Sequence, residues 1–102
     1  MEHLIQNLQR TIKALESLSD KAPPQAEQVY ELLDQLFQQK IDLVNLSTAP
    51  SSPAYQQACQ AVGQAAVRAE KAARDPAQIR DMIPAVTDAI VKLSKLLNGA
   101  GA

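Results

Sequence analysis

The chain has 102 residues, of which 46% are hydrophobic, and a formal net charge of −1. This length fits one domain, and this apolar content excludes a chain that stays disordered for lack of hydrophobic residues. The balance of 10 basic and 11 acidic residues, without a basic cluster, argues against nucleic acid as a partner, and the single cysteine excludes an intramolecular disulfide framework.

The first predicted helix covers approximately residues 2–19. Its apolar residues recur at steps of three and four, which places them on one face of a helix. They are Leu4, Ile5, Leu8, Ile12, Leu15 and Leu18. The segment 20–24 ends this helix because it contains two prolines, which lack the amide donor and restrict the residue before them.

The second predicted helix covers approximately residues 24–47 and carries two adjoining apolar stripes. One stripe consists of Tyr30, Leu33, Phe37, Ile41 and Val44. The other consists of Val29, Leu32, Leu36, Leu43 and Leu46. A helix that is apolar over so wide an arc needs two neighbouring helices to cover it. We therefore expect this helix to lie deep in the fold.

The third predicted helix covers approximately residues 53–74 and follows a loop of serine, threonine and proline at residues 47–53. Ser52 is placed to cap the helix, and Pro53 suits its first turn. Its main apolar stripe consists of Tyr55, Cys59, Val62, Ala66, Ala69 and Ala73. Because alanine side chains are small, we expect this helix to approach its neighbours closely.

The fourth predicted helix covers approximately residues 76–97, and residues 98–102 are expected to form a frayed tail. Asp75 and Pro76 repeat the signal of a capping residue followed by proline, which predicts a very short turn after the third helix. Pro84 lies inside the apolar pattern. It predicts either a kinked helix or a short turn before a helix that is capped by Asp81.

Four amphipathic segments with short connections predict an all-α domain over residues 1–97, folded as an antiparallel up-down-up-down four-helix bundle. The charges favour a hairpin of the second and third helices, because the early part of the second is acidic and the late part of the third is basic. The residues concerned are Glu27, Glu31 and Asp34, and Arg68, Lys71 and Arg74. The alternative fold is a helical hairpin or three-helix unit completed by dimerisation.

The sequence contains no recognisable catalytic, cofactor-binding or metal-binding constellation. His3 lies near the N-terminus, and we interpret it as a solvated side chain. Cys59 has no basic residue within a helical turn, so we interpret it as a small buried hydrophobe rather than a nucleophile. The Glu-x-x-His pairs of a diiron bundle are missing. The sequence therefore predicts a protein that is not an enzyme and has no cofactor.

One face of the third helix is unusual because it carries no charge. No charged residue occurs between Leu43 and Val67, and glutamine fills the polar positions of this helix. Interface centres are depleted of charge, so this face is a candidate protein-contact surface. Its residues are Tyr55, Gln56, Gln60, Gly63, Gln64 and Val67. The competing interpretation is that glutamine is simply a favourable residue on a helix surface.

These features favour a non-enzymatic interaction module, such as a small adaptor, a chaperone or an immunity or inhibitor-like protein, with another protein as partner and a homodimer also allowed. One alternative is a peripheral membrane binder that uses the fourth helix, where Lys92 and Lys95 flank apolar residues but Asp81 and Asp88 dilute the basic face. Another is a carrier with a cavity inside the bundle. Without a secretory signal, we expect a cytoplasmic location, and export by a route without such a signal stays open.

Overall fold

The computed structural model describes residues 2–21, 24–45 and 52–99, and all regular structure within them is helical. The elements are α1 (Glu2–Asp20), α2 (Ala26–Val44), α3 (Pro53–Arg74), a 3-10 turn (Pro76–Gln78) and α4 (Ile79–Gly99). The four helices pack against each other, which confirms the predicted all-α four-helix bundle. Leu46, most of the predicted loop at residues 47–53 and residues 100–102 of the predicted tail lie outside the described residues.

Two predicted capping residues hold the two ends of α3. The Ser52 hydroxyl accepts a hydrogen bond from the Tyr55 amide at 3.1 Å, and Pro53 is the first residue of the helix. At the other end, the Asp75 carboxylate accepts from the Ala77 amide at 3.2 Å and so begins the 3-10 turn. Each cap satisfies an amide that the helical pattern leaves free. The tight turn between α3 and α4 is thereby confirmed.

The fourth helix is continuous through Pro84. It begins at Ile79, directly after the 3-10 turn, and Pro84 lies inside it. A helix that begins only at Asp81 is therefore not observed. Pro84 is the sixth residue of α4, and because it has no amide hydrogen the second turn of the helix lacks one backbone hydrogen bond.

The lateral order of the helices differs from the order in the chain. In the described part of the chain, α1 packs against α2 and α3, and α4 packs against the same two helices, so that α2 and α3 lie diagonally opposite. Arg10 of α1 binds Glu70 of α3, and Lys21 donates a hydrogen bond to the carbonyl oxygen of Ala73. These contacts run in the same order along both helices, so α1 and α3 are parallel neighbours.

The predicted hairpin of the second and third helices is therefore wrong. The acidic stretch around Glu31 and the basic stretch around Lys71 belong to helices that are diagonal in the bundle. The reason is that packing outweighs surface charge: the buried alanines of α3 receive the leucine-rich faces of α1 and α4. An exposed ion pair contributes only about 0–1 kcal/mol, which is too little to set the order of helices.

The described residues of the α2 stripe that contains Val29 are buried, whereas of the other stripe only Leu33 is buried. The buried residues are Val29, Leu32, Leu33, Leu36 and Leu43. Tyr30, Phe37, Ile41 and Val44 each expose between 41 and 61% of their surface. The expectation that α2 lies deep in the fold is therefore wrong, because α1 and α4 cover only its inner side. Both α1 and α3 bury more of their residues than α2 does.

Candidate functional site

A surface groove of about 810 Å³ runs between the parallel helices α1 and α3. Five of the six residues of the predicted contact surface line this groove. These are Gln56, Gln60, Gly63, Gln64 and Val67. The three glutamines and Val67 are exposed, whereas Gly63 is half-buried at the bottom of the helix face. The groove therefore combines amide groups, which donate and accept hydrogen bonds, with apolar surface, and the charged side chain of Arg68 also lines it.

Tyr55 does not belong to this surface. Only 8% of it is exposed, and it packs in the core cluster. It lies two turns before Val62 on the same helical stripe, so it faces the interior where Val62 also lies. Burial raises the pKa of its hydroxyl, and the neighbouring Cys59 thiol adds to this increase. The assignment of Tyr55 to the contact surface is therefore wrong.

Gly63 leaves open space in the middle of α3. A Cβ atom placed on this glycine would meet only the Asn7 side-chain nitrogen, at 4.0 Å, which is ordinary van der Waals contact. Glycine in a helix interior costs about 0.5–1 kcal/mol relative to alanine. The bundle could accept a side chain here without a clash. The packing of α1 on α3 therefore does not explain why this position is a glycine.

The other wall of the groove comes from α1 and was not predicted. Asn7 is buried on this wall, its side-chain nitrogen lies 3.4 Å from Nε2 of His3, and its Oδ1 accepts a hydrogen bond from Arg10 at 2.9 Å. The hydroxyl of Thr11 donates to the carbonyl oxygen of Asn7 at 2.9 Å. The sequence does contain an indication of this polar wall, since Asn7 and Thr11 are one turn apart beside the apolar stripe of α1.

An ion pair next to the groove ties α1 to α3. Arg10 holds the Glu70 carboxylate with two hydrogen bonds, from Nη2 at 2.5 Å and from Nε at 3.2 Å. The hydrogen bond from Arg10 lowers the pKa of Glu70 below its ordinary value, although partial desolvation opposes this. The same bond raises the pKa of Arg10. Arg10 also donates to Oδ1 of Asn7, so the Arg10–Glu70 pair positions the α1 wall of the groove.

Cys59 lies at the edge of the groove and is half-buried. The expectation that it is a buried core residue is only partly met, because its side chain lies between the core stripe and the open face of α3. His3 lines the same groove and is exposed. Among the described residues, three or more histidine, cysteine, aspartate or glutamate side chains do not meet at any point that could hold a metal ion.

The apolar residues that suggested membrane binding are inside the bundle. Ile90, Leu93 and Leu96 are buried, and Leu97 is partly buried against the same core. In the folded protein these side chains of α4 therefore face the core, whereas Val91, next to Lys92, is exposed. None of the helices described is both long and apolar enough to cross a membrane.

No family model matches the chain, and neither a curated protein nor a solved structure is significantly similar to it.

Proposed function

We propose that this protein is a non-enzymatic protein-binding module whose α1–α3 groove receives a segment of a partner protein. The observation that carries the proposal is Gly63, which keeps the middle of the groove open at a cost in helix stability and without a packing requirement. Such a position lets another backbone approach the helix closely. Grooves between helices are a recurring site for helical segments of partner proteins.

The lining defines the chemistry of the segment that fits. Gln56, Gln60 and Gln64 supply uncharged donors and acceptors along one line of α3, and Val67 supplies an apolar contact. We expect a segment that places small apolar residues opposite Gly63 and uncharged polar residues opposite the glutamines. A basic residue in the centre of the segment would lose water without gaining an ionic partner, because the charged side chain that lines this groove on α3 is that of Arg68.

The experiment identifies partners by site-specific photo-crosslinking and then measures their affinity by calorimetry. A photoreactive residue at Gln60 captures proteins that enter the groove in the source cells. Gly63→Leu fills the groove from its floor, and we expect it to weaken binding of the captured partner at least tenfold, or about 1.4 kcal/mol. The double change Gln60→Glu with Gln64→Glu adds charge to the same surface and should have a similar effect.

The matched control is the double change Gln28→Glu with Gln35→Glu, which adds the same charge to exposed positions of α2. This control variant should bind the partner as the wild type does. The proposal is wrong if the partner binds the groove variants and the control equally well. Circular dichroism and an unfolding curve for each variant show whether a loss of binding comes from a loss of folding.

A further inference from the structure

A second surface, unrelated to the α1–α3 groove, lies along the outer side of α2. Tyr30, Phe37, Ile41 and Val44 form this surface, which we call the α2 stripe. They recur at steps of seven, four and three residues, so they share one face of the helix and extend for about 21 Å along it. Large apolar side chains that are gathered on one exposed helix face are typical of an interaction site.

The two edges of the α2 stripe carry opposite charge. Glu27 and Asp34 are exposed and follow the outer edge of the stripe, one turn from Tyr30. On the inner edge, a groove of about 570 Å³ separates the stripe from α1. Lys13 and Lys40 line this groove together with one acidic residue, Glu16. The outer edge is therefore acidic, and the inner edge has an excess of basic groups.

We propose that the α2 stripe is a self-association surface on which a second copy of the chain packs its own α2 in parallel. A two-fold axis parallel to the helices brings the acidic edge of each copy against the basic edge of the other. An antiparallel pair would instead place acidic edge against acidic edge, which is electrostatically unfavourable. The charge pattern therefore favours a second copy of the chain as the partner, and a parallel pairing of the two α2 helices.

The size of the α2 stripe sets the expected strength of the dimer. Stable interfaces bury about 1,200–2,000 Å² in total, whereas one exposed stripe on a single helix supplies less than this. We therefore expect a reversible dimer with a dissociation constant in the micromolar range. Each copy keeps its own core, so the monomer remains folded. The α1–α3 groove lies on another face and stays open in the dimer, so this inference does not depend on the proposed function.

The first test is the mass in solution, measured by light scattering from low micromolar to millimolar protein under reducing conditions. We expect the wild type to shift from monomer to dimer with concentration. Phe37→Glu and Ile41→Glu should each weaken the dimer at least tenfold, because each places two like charges on the two-fold axis. Val91→Glu is the matched control, since Val91 is similarly exposed but lies alone on α4.

The outcomes of this test are clear-cut. A wild type that remains monomeric at every concentration overturns the proposal. So does a dimer that tolerates both Phe37→Glu and Ile41→Glu. Because both side chains are exposed, these variants should keep the helical content and unfolding midpoint of the wild type at monomeric concentrations, where both are measured.

The second test concerns the direction of the helices. In a Cys59→Ser background, two Tyr30→Cys chains should form an intermolecular disulfide on oxidation, because a parallel pair of α2 helices places equivalent residues together. An antiparallel pair would cross-link only a mixture of Tyr30→Cys and Val44→Cys. Cross-linking in the mixture alone would therefore overturn the parallel arrangement, and a self-linked Tyr30→Cys dimer supports it.

Discussion

Gln39 places a primary amide in the interface between α2 and α4, where only 7% of its surface is exposed. Its Nε2 donates to the carbonyl oxygen of Ile90 and to the hydroxyl of Ser94, both at 3.0 Å. Its Oε1 is buried without a hydrogen-bond partner among the described residues. A buried acceptor that loses water and gains no partner costs about 1–3 kcal/mol.

Replacing Gln39 with leucine removes the unpaired oxygen and keeps most of the buried volume. We expect Gln39→Leu to leave the free energy of unfolding unchanged or to raise it by about 1 kcal/mol, because Ser94 is only half-buried and can bind water instead. Gln39→Ala should lower it by about 1–2 kcal/mol, since it leaves a cavity. Urea unfolding measures both. Equal losses in the two variants would mean that the hydrogen bonds of Gln39 dominate.

Gly63 gives a second prediction at the scale of one residue. We expect Gly63→Ala to raise the free energy of unfolding by about 0.5–1 kcal/mol, because alanine is the better helix former and the new methyl group meets only Asn7. Gln60→Ala is the control on the same helix face and should change stability less. A clear destabilisation by Gly63→Ala would show that α1 approaches this position too closely for a side chain.

Two helices, α1 and α3, are connected at their surface by the Arg10–Glu70 pair. Because the folded protein lowers the pKa of Glu70, this carboxylate stabilises the fold fully above its ordinary pKa of 4.5, and the stabilisation disappears as the pH falls through the lower folded pKa. The side chains of Arg10 and Glu70 are 47 and 39% exposed, so solvent screens the pair. An effect of about 0.2–1 kcal/mol is therefore expected.

Glu70→Gln tests this coupling between α1 and α3. At neutral pH, the variant should be less stable than the wild type by about 0.2–1 kcal/mol, and the difference should vanish in acid and shrink in high salt. Urea unfolding at several pH values measures the difference. Glu31→Gln, which changes an exposed carboxylate of α2, is the control. A difference for Glu70→Gln that persists unchanged in acid would contradict the assigned role.

Local signals in the sequence were sufficient for the individual helices. Ser52, Asp75 and the prolines that follow them predict where α3 begins and ends, because capping depends on a few adjacent residues. Local signals left two interpretations of Pro84 open, and the structure has one helix that continues through it. The predicted bounds of α2, which lacks such a cap, begin two residues too early and end three residues too late, since periodicity alone defines helix ends poorly.

Relations between helices were harder to predict. To predict the groove, one has to know that Asn7 of α1 lies beside Gly63 of α3. Only the lateral order of the helices brings these two residues together. Periodicity states which face of a helix is apolar, but not which helix covers it. For this reason, the exposed stripe around Phe37 was expected to be buried, and Tyr55 was assigned to the surface although its stripe faces the core.

For the molecule as a whole, stability is distributed unevenly among the helices. The buried faces of α3 are in close contact with both α1 and α4, whereas α2 packs less extensively against its neighbours. It also carries the unpaired amide oxygen of Gln39 and an apolar stripe that remains in water. Helices with fewer buried contacts open at lower free energy than the global unfolding of the domain. The weakest helix of this bundle should therefore be α2.

Native-state hydrogen exchange measures this difference directly. At protein concentrations low enough for the monomer, we expect amides in the middle of α2 to exchange at least tenfold faster than those of α3, which corresponds to about 1.4 kcal/mol. Raising the concentration should slow exchange in α2 selectively in the wild type, because packing against a second copy opposes its opening. The Phe37→Glu variant should lose this concentration dependence. Uniform protection of all four helices at low concentration would instead mean that the bundle opens only as one unit, and that the exposed stripe does not weaken α2.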